Sequence, residues 1–379
     1  MSVLASVWSL AGYILPFLFV LSLVVFFHEL GHFLIGRWCG VKVETFSLGF
    51  GPELFGFNDH VGTHWRIAAL PLGGYVKFHG DANGASMPSE SAMEAMSPQE
   101  RAVSFSTQKV WKRAAIVAAG PVANFILAIA IYTGIFYLHG RAILLPEADS
   151  IAADSAAEAA RFQPGDLIVA IDGARVESFE DMQRIVQTAS GTQLVFTVDR
   201  AGKSVELVAT PRRRDLVTPF GTTRGGVLGV KANPANLHVQ TYDLLESVKL
   251  AGSETWYIVA RTGSYLKGLA AGEESTDQLS GPIRIAEVSG AMARIGLAAL
   301  LTLAAALSIS VGMLNLLPVP LLDGGHLVYY AVEAMRGKAM NERAQQFGFD
   351  VGVVLLTSLM FFATYNDILR LARHWMHGE

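Results

Sequence analysis

The sequence predicts a polytopic α-helical membrane protein carrying a polar insert. Three observations predict it. Of the 379 residues, 51% are hydrophobic and only 16% charged; mean hydropathy is positive; and the apolar residues gather into long runs. A bilayer core takes about 20 helical residues, and runs at roughly 8–35, 114–138, 294–317 and 350–371 reach or approach that length. Four transmembrane helices are therefore expected. They divide the chain into 1–138, an insert at 139–240, an amphipathic or linker segment at 241–292, and 293–379.

The net charge of −4 is small and contains no basic block, so no nucleic-acid partner is expected. Cys39 is the single cysteine, which excludes an intrachain disulfide and a CxxC metal site. The first run has no basic residues ahead of it and no small-residue cleavage site, so it is read as a retained span rather than a removable signal. Arg37, Lys42, Lys109, Lys112 and Arg113 flank the loop after it, and Arg336, Lys338 and Arg343 lie in the last loop. Basic residues favour the cytoplasmic side, which puts the insert on the other face; Arg370 and Arg373 count the opposite way. The fourth run is the weakest, since Asp367 and Arg370 interrupt its end.

The first run ends in "FFHELGHFLIGR", residues 26–37. Helical residues i and i+4 share a face, so His28 and His32 can turn their imidazoles to one ion while Glu29, one step round, reaches a water on it. Catalytic zinc needs a third protein ligand and an open position. An unpaired carboxylate in apolar surroundings is costly, which makes Asp323 the leading candidate. It follows the third run in "LLDGGH", where Pro318 and Pro320 stop the helix and the glycines suit an exposed turn. In the expected topology the first and third runs point the same way, so the two motifs share one membrane face. His326 is a rival third ligand. His60 and His64 repeat the spacing without a glutamate between them, in a Gly-rich loop, and are read as solvated. Zinc lowers the pKa of a bound water to about 7, and Glu29 can take its proton and pass it to a leaving amine, which points to amide hydrolysis beside a membrane.

The motifs "HELGH", "GFGP" at 49–52, "PLGGYVKF" at 71–78, "GPVANF" at 120–125, "GPIRIA" at 281–286 and "NLLPVPLLDGG" at 315–325 resemble the site-2 protease family of intramembrane zinc metalloproteases, in its regulator-of-sigma-E-protease branch, nearly end to end. The resemblance implies zinc on His28, His32 and Asp323, with Glu29 as the catalytic base. It implies that Asn315 holds the substrate backbone while Pro318 and Pro320 shape that segment; a helix-packing amide is the other reading of Asn315. It also places a membrane-reentrant β-hairpin between "GFGP" and "PLGGYVKF", with Gly73 and Gly74 among the substrate-binding residues. An open strand edge there can hold an unwound substrate by β-addition; a strand that only packs on the spans is the alternative. Residues 80–108, rich in small and polar residues, read as a mobile cytoplasmic segment.

In the insert, a PGD turn, the strand "LIVAIDG", a helix opening at Ser178 and a hairpin at Ala201-Gly202 resemble the core of a PDZ domain. Residues 212–240 do not read as a second such unit, and Arg161 stands where the motif usually has glycine. Such a domain either binds peptide termini or acts as a steric gate that excludes bulky ectodomains, and the gate is favoured here. Residues 241–270 place apolar residues at helical spacing, an amphipathic helix that lies on the membrane surface or packs on the insert. Taken together, the resemblance implies an enzyme of a bacterial inner membrane, in contact with lipid, that cuts single-pass membrane proteins after an upstream first-site protease has trimmed them. An anti-sigma factor or remnant signal peptides are the implied substrates. A membrane zinc peptidase acting on soluble or lipidated peptides and a non-catalytic PDZ scaffold are the alternatives.

Overall fold

The computed structural model describes residues 3–80, 96–218, 221–272, 276 and 281–377. In chain order the first elements are α1 (Val3–Trp38), β1 (Val43–Asn58), β2 (His64–Phe78), α2 (Pro98–Val103) and α3 (Val110–His139). The insert follows with β3 (Arg141–Leu144), β4 (Ser150–Ile151), α4 (Ala156–Ala159), β5 (Leu167–Ile171), β6 (Ala174–Arg175) and α5 (Phe179–Thr188). It continues through β7 (Leu194–Arg200), β8 (Lys203–Ala209), β9 (Arg212–Thr218), β10 (Gly221–Val227), β11 (Val230–Lys231) and β12 (Leu237–Gln240). Five helices close the chain: α6 (Leu244–Ala270), α7 (Pro282–Ile295), α8 (Leu297–Asn315), α9 (Asp323–Arg336) and α10 (Glu342–His377). Two compact units result, one of Met1–Thr133, Val248–Gly263 and Ser280–Glu379, the other of Gly134–Ser247 and Ser264–Leu279.

Among the described residues, four helices are long and apolar enough to cross a membrane: Ala11–Trp38, Val110–His139, Leu297–Asn315 and Arg343–Arg370. The protein is a membrane protein with a β-rich part. The third apolar run is not one helix. Gly296, at φ +145, breaks it, so its first residues belong to α7, which packs with α8 on α1. Gly290 of α7 makes the approach possible, since a Cβ there would come 2.3 Å from the Tyr13 ring. The charges that weaken the fourth run in the sequence have partners in α7. The buried Asp367 carboxylate accepts from Gly281 N (3.3 Å) and Arg284 N (3.0 Å), capping a helix whose own N-cap is a glycine, and Arg370 pairs with Glu287.

α1 stops where Gly40 takes φ +83 and Val41 N reaches back to Gly36 O. β1 and β2 then pair antiparallel with register breaks. Val43, Phe46 and Leu48 lie opposite Phe78, Val76 and Gly74, whereas Phe57 and Asn58 lie opposite Trp65 and His64; Phe46 and Leu48 also lie beside Trp65 and Ile67. The first half of β1 thus runs between the two halves of β2, with Gly49 (φ +94) letting the strand turn back. Phe33, Phe46, Val76, Phe78, Ile116 and Tyr330 form one buried cluster that fixes this sheet to α1, α3 and α9. At the hairpin tip Asp59 accepts from Val61 N and Thr63 N and pairs with Arg37 at the end of α1.

Two loop expectations are corrected. Most of the segment expected to be mobile, 81–95, lies outside the described residues, but 98–103 is a helix with a Ser97/Glu100 capping box. The last loop is largely α9, because its apolar residues return at helical spacing and bury Tyr330.

In the other unit, a four-stranded antiparallel sheet of order β6-β5-β7-β8 covers a core of Ile168, Ile171, Phe179, Met182, Phe196 and Val198. Ser178 caps α5 by accepting from Asp181 N (3.0 Å), and Ala201-Gly202 (φ +54, +81) forms the β7–β8 turn. Residues 212–240 form the β9–β10 hairpin and two short strands that pair with β4 and β3. Arg161 adopts φ +64, the conformation glycine would favour. Asp166 of the PGD turn is wholly buried and takes both Arg200 Nε and Nη2 at 2.7 Å, with Gln163 N at 2.8 Å. Burial pushes its carboxyl up, but those hydrogen bonds outweigh burial and hold it below the usual carboxylate value.

Candidate metal centre

His28 and His32 stand one turn apart on α1 with their rings edge to face, centroids 4.8 Å apart. Their Nε2 atoms approach to 3.3 Å. Asp323, the first residue of α9, brings Oδ2 to 3.2 Å from His28 Nε2 and Oδ1 to 3.6 Å from His32 Nε2. Among the described residues these three form the group that could hold a metal ion.

The donor set fits zinc. Two nitrogens held about 2.05 Å from one tetrahedral zinc stand about 3.3 Å apart, the separation found between the two Nε2 atoms. Asp323 Oδ2 is buried and has no hydrogen-bond partner among the described residues, although His28 is only 3.2 Å away. Acceptor atoms gathered without enough protons between them repel one another, and a cation at their centre removes that cost. His32 Nδ1 lies 2.8 Å from Ile116 O. A carbonyl only accepts, so Nδ1 carries the proton and Nε2 presents its lone pair to the cluster.

Glycines clear the space. A Cβ on Gly120 of α3 would come 2.3 Å from His32 Nε2 and 2.9 Å from His28 Cε1. Gly31 lets α1 and α3 meet backbone to backbone, since a Cβ there would come 2.2 Å from Ala119 O. Gly74 of β2 sits against Glu29, where a Cβ would come 3.0 Å from its Cγ. Gly73 faces the Phe50 ring instead.

Pro318 and Pro320 lie between α8 and α9, and Leu321 is held at φ +87. A non-glycine residue there costs on the order of 1–3 kcal/mol, so the surrounding contacts over-determine the turn. Gly324 and Gly325 do not form the exposed turn expected of them. They are buried in the first turn of α9, where a Cβ would come 2.2 Å from Leu317 O and 2.4 Å from Val319 O respectively. They let the chain fold closely over its own proline segment and aim Asp323 at α1. Asn315 ends α8, half-buried, at the start of the same segment. His326, the rival ligand, packs against Tyr329 and Tyr330 and is not among the converging atoms. His60 is exposed, and His64 bridges Asn58 and Glu53 across the hairpin.

Sequence reasoning missed what α3 contributes. Gly120, Asn124 and the Ile116 carbonyl all face the histidines. The available signal was Asn124 itself, a polar amide inside an apolar run.

Residues 16–359 match peptidase family M50. The chain belongs to that family. It is a zinc metalloprotease of the site-2 type, with zinc as its cofactor. A protein of Agrobacterium fabrum whose name describes a zinc metalloprotease is 47% identical over 371 residues, covering 97% of this chain and 98% of its own. A similarly named protein of Rhizobium meliloti is 46% identical over 370 residues, covering 97% and 98%. Metalloprotease MmpA of Caulobacter vibrioides is 39% identical over 378 residues, covering 93% and 94%. Among solved structures, the PDZ domain of an SdrC-like protein from Listeria innocua covers 26% of this chain and 99% of that chain at 19% identity and a TM-score of 0.20, too low a likeness to carry an argument.

Proposed function

We propose that this M50 enzyme cuts single-pass membrane proteins within or beside their spans, with zinc held by His28, His32 and Asp323. The observation that carries the reading is that two of the three metal-group residues, His28 and His32, lie on a helix apolar enough to cross a membrane, with a β-strand directly beside Glu29. What zinc supplies when bound is Lewis-acid polarisation of the scissile carbonyl and of the attacking water. Glu29 takes the water's proton and delivers it to the leaving amine nitrogen. The 74–78 segment of β2 holds an unwound substrate in extended form by β-addition, and Asn315 contacts its backbone while Pro318 and Pro320 hold that segment in shape.

Exposed Leu54, Phe55, Leu70 and Leu72 on the β1–β2 sheet support its entry into lipid, since apolar side chains gathered on one element favour a membrane over water. Basic residues at Arg37, Lys42, Lys109, Lys112 and Arg113 support a cytoplasmic position for the adjoining loop and a periplasmic one for the insert, in a bacterial inner membrane. The insert acts as a PDZ-like gate, so an upstream protease must first remove the substrate's ectodomain. Anti-sigma factors and remnant signal peptides are substrates of this kind.

The test uses the full-length enzyme in lipid vesicles with a tagged single-pass substrate, intact or trimmed of its ectodomain. The reading expects cleavage of the trimmed form alone, at a peptide bond in or next to the span. Equal cleavage of both forms removes the gate. Cleavage of soluble peptides in place of either form overturns the membrane-substrate reading.

A further inference from the structure

Asn124 is wholly buried in the apolar helix α3, where an amide without partners is costly. Its Nδ2 lies 3.2 Å from His28 Nδ1, while its Oδ1 has no partner among the described residues. The backbone around it is fixed. Ser308 of α8 donates to Asn124 O (2.9 Å), and Gly312 of α8 lies so close that a Cβ would come 3.3 Å from Asn124 Cβ. The fixed backbone keeps the amide beside His28, where a turn about its last bond exchanges nitrogen and oxygen.

Its two orientations dictate opposite forms of the imidazole. With nitrogen toward the ring, His28 Nδ1 must be the acceptor, so Nε2 carries the proton and has no lone pair to offer the cluster. With oxygen toward the ring, Nδ1–H donates, the unpaired Oδ1 gains a partner, and Nε2 turns a lone pair to the cluster. His32 has no such choice, because Ile116 O already fixes its Nδ1 proton.

We propose that Asn124 is a positioning residue for His28, its amide oxygen accepting from Nδ1–H so that Nε2 faces the cluster with its lone pair. The inference rests on the zinc reading above.

The experiment uses full-length protein in detergent micelles, with wild type, Asn124→Asp and Asn124→Leu compared for zinc affinity by chelator competition and for the imidazole 15N shifts of His28. Leucine keeps the size and removes the hydrogen bond; aspartate accepts permanently from Nδ1–H. The expected result is a loss of roughly 10- to 100-fold in zinc affinity for Asn124→Leu and binding at least as tight as wild type for Asn124→Asp. Zinc-free wild type and zinc-free Asn124→Asp both show a protonated Nδ1, whereas zinc-free Asn124→Leu loses that preference, a signature that loss of packing alone does not produce. Wild-type affinity in Asn124→Leu, or a protonated Nε2 in zinc-free wild type, overturns the proposal. His28→Ala and Asp323→Ala separate the two levels: if both keep zinc, the metal assignment fails, and if they lose it while Asn124→Leu does not, only the role of Asn124 falls.

Discussion

Substituting Gly120 by alanine adds one methyl group to a helix, and in most helices that stabilises by about 1 kcal/mol. Here the methyl carbon would stand 2.3 Å from His32 Nε2 and 2.5 Å from His32 Cε1, where real Cβ contacts essentially never fall below 3.0 Å. The ring must therefore retreat by at least 0.7 Å, the shortfall between those distances. Metal–ligand distances tolerate about 0.2 Å. Retreat also pulls Nδ1 off Ile116 O, which fixes the ring. The expected effect of Gly120→Ala is a loss of at least about 10- to 100-fold in zinc affinity, with the zinc-free protein destabilised by only about 0–2 kcal/mol, because the helix gain of about 1 kcal/mol offsets part of an overpacking cost of about 1–3 kcal/mol. Gly134→Ala is the control on the same helix: nothing lies within 4 Å of its new Cβ, so zinc affinity stays and stability holds or rises. Chelator competition on both variants decides the matter. Unchanged zinc affinity in Gly120→Ala would refute the packing of α3 on the ligands.

Glu29→Gln is expected to keep zinc and lose roughly 100- to 10,000-fold in cleavage rate, read by fragment size alongside metal content. Gly324→Ala meets backbone on two sides, Leu317 O at 2.2 Å and Leu316 O at 2.4 Å, so it is expected to cost about 1–3 kcal/mol and to release zinc by shifting Asp323; normal metal content in a folded variant argues against that strain. In the insert, Asp166 binds its proton less readily folded than unfolded, so its stabilising contribution is present above the unfolded value near 3.8 and fades as pH falls through the lower folded value. Hydrogen exchange of β5 and β7 in the full chain should therefore quicken with acid below that range, after correction for intrinsic exchange rates, and Arg200→Met should weaken the same strands by about 3 kcal/mol at neutral pH and remove the acid dependence.

The legible parts of this protein were those whose cause is local. His28 and His32 declare their shared face through spacing alone, with Glu29 one step round, and the Ser178 cap, the PGD turn and the Ala201-Gly202 hairpin are short motifs whose residue types dictate their backbone. Asp323 was within reach because an acidic residue beside an apolar run demands a partner. What escaped depends on contacts distant in the chain. Asp367 and Arg370 looked like flaws in a span, yet they cap and pair with α7, more than eighty residues earlier. Gly324 and Gly325 carry the same letters a turn would, but buried carbonyls rather than a positive φ require them. The break at Gly296 hides in an apolar run where one glycine is unremarked. Asn124 has no neighbour in sequence that hints at His28.

The most direct test of the account is the metal itself: zinc content and zinc-edge X-ray absorption of the purified full-length protein, with Asp323→Ala and His326→Ala compared against wild type. The account predicts one zinc per chain in wild type, bound by two imidazole nitrogens and carboxylate oxygen, retained in His326→Ala and lost in Asp323→Ala. Three imidazole ligands in wild type, or zinc that survives Asp323→Ala and leaves with His326→Ala, would contradict it.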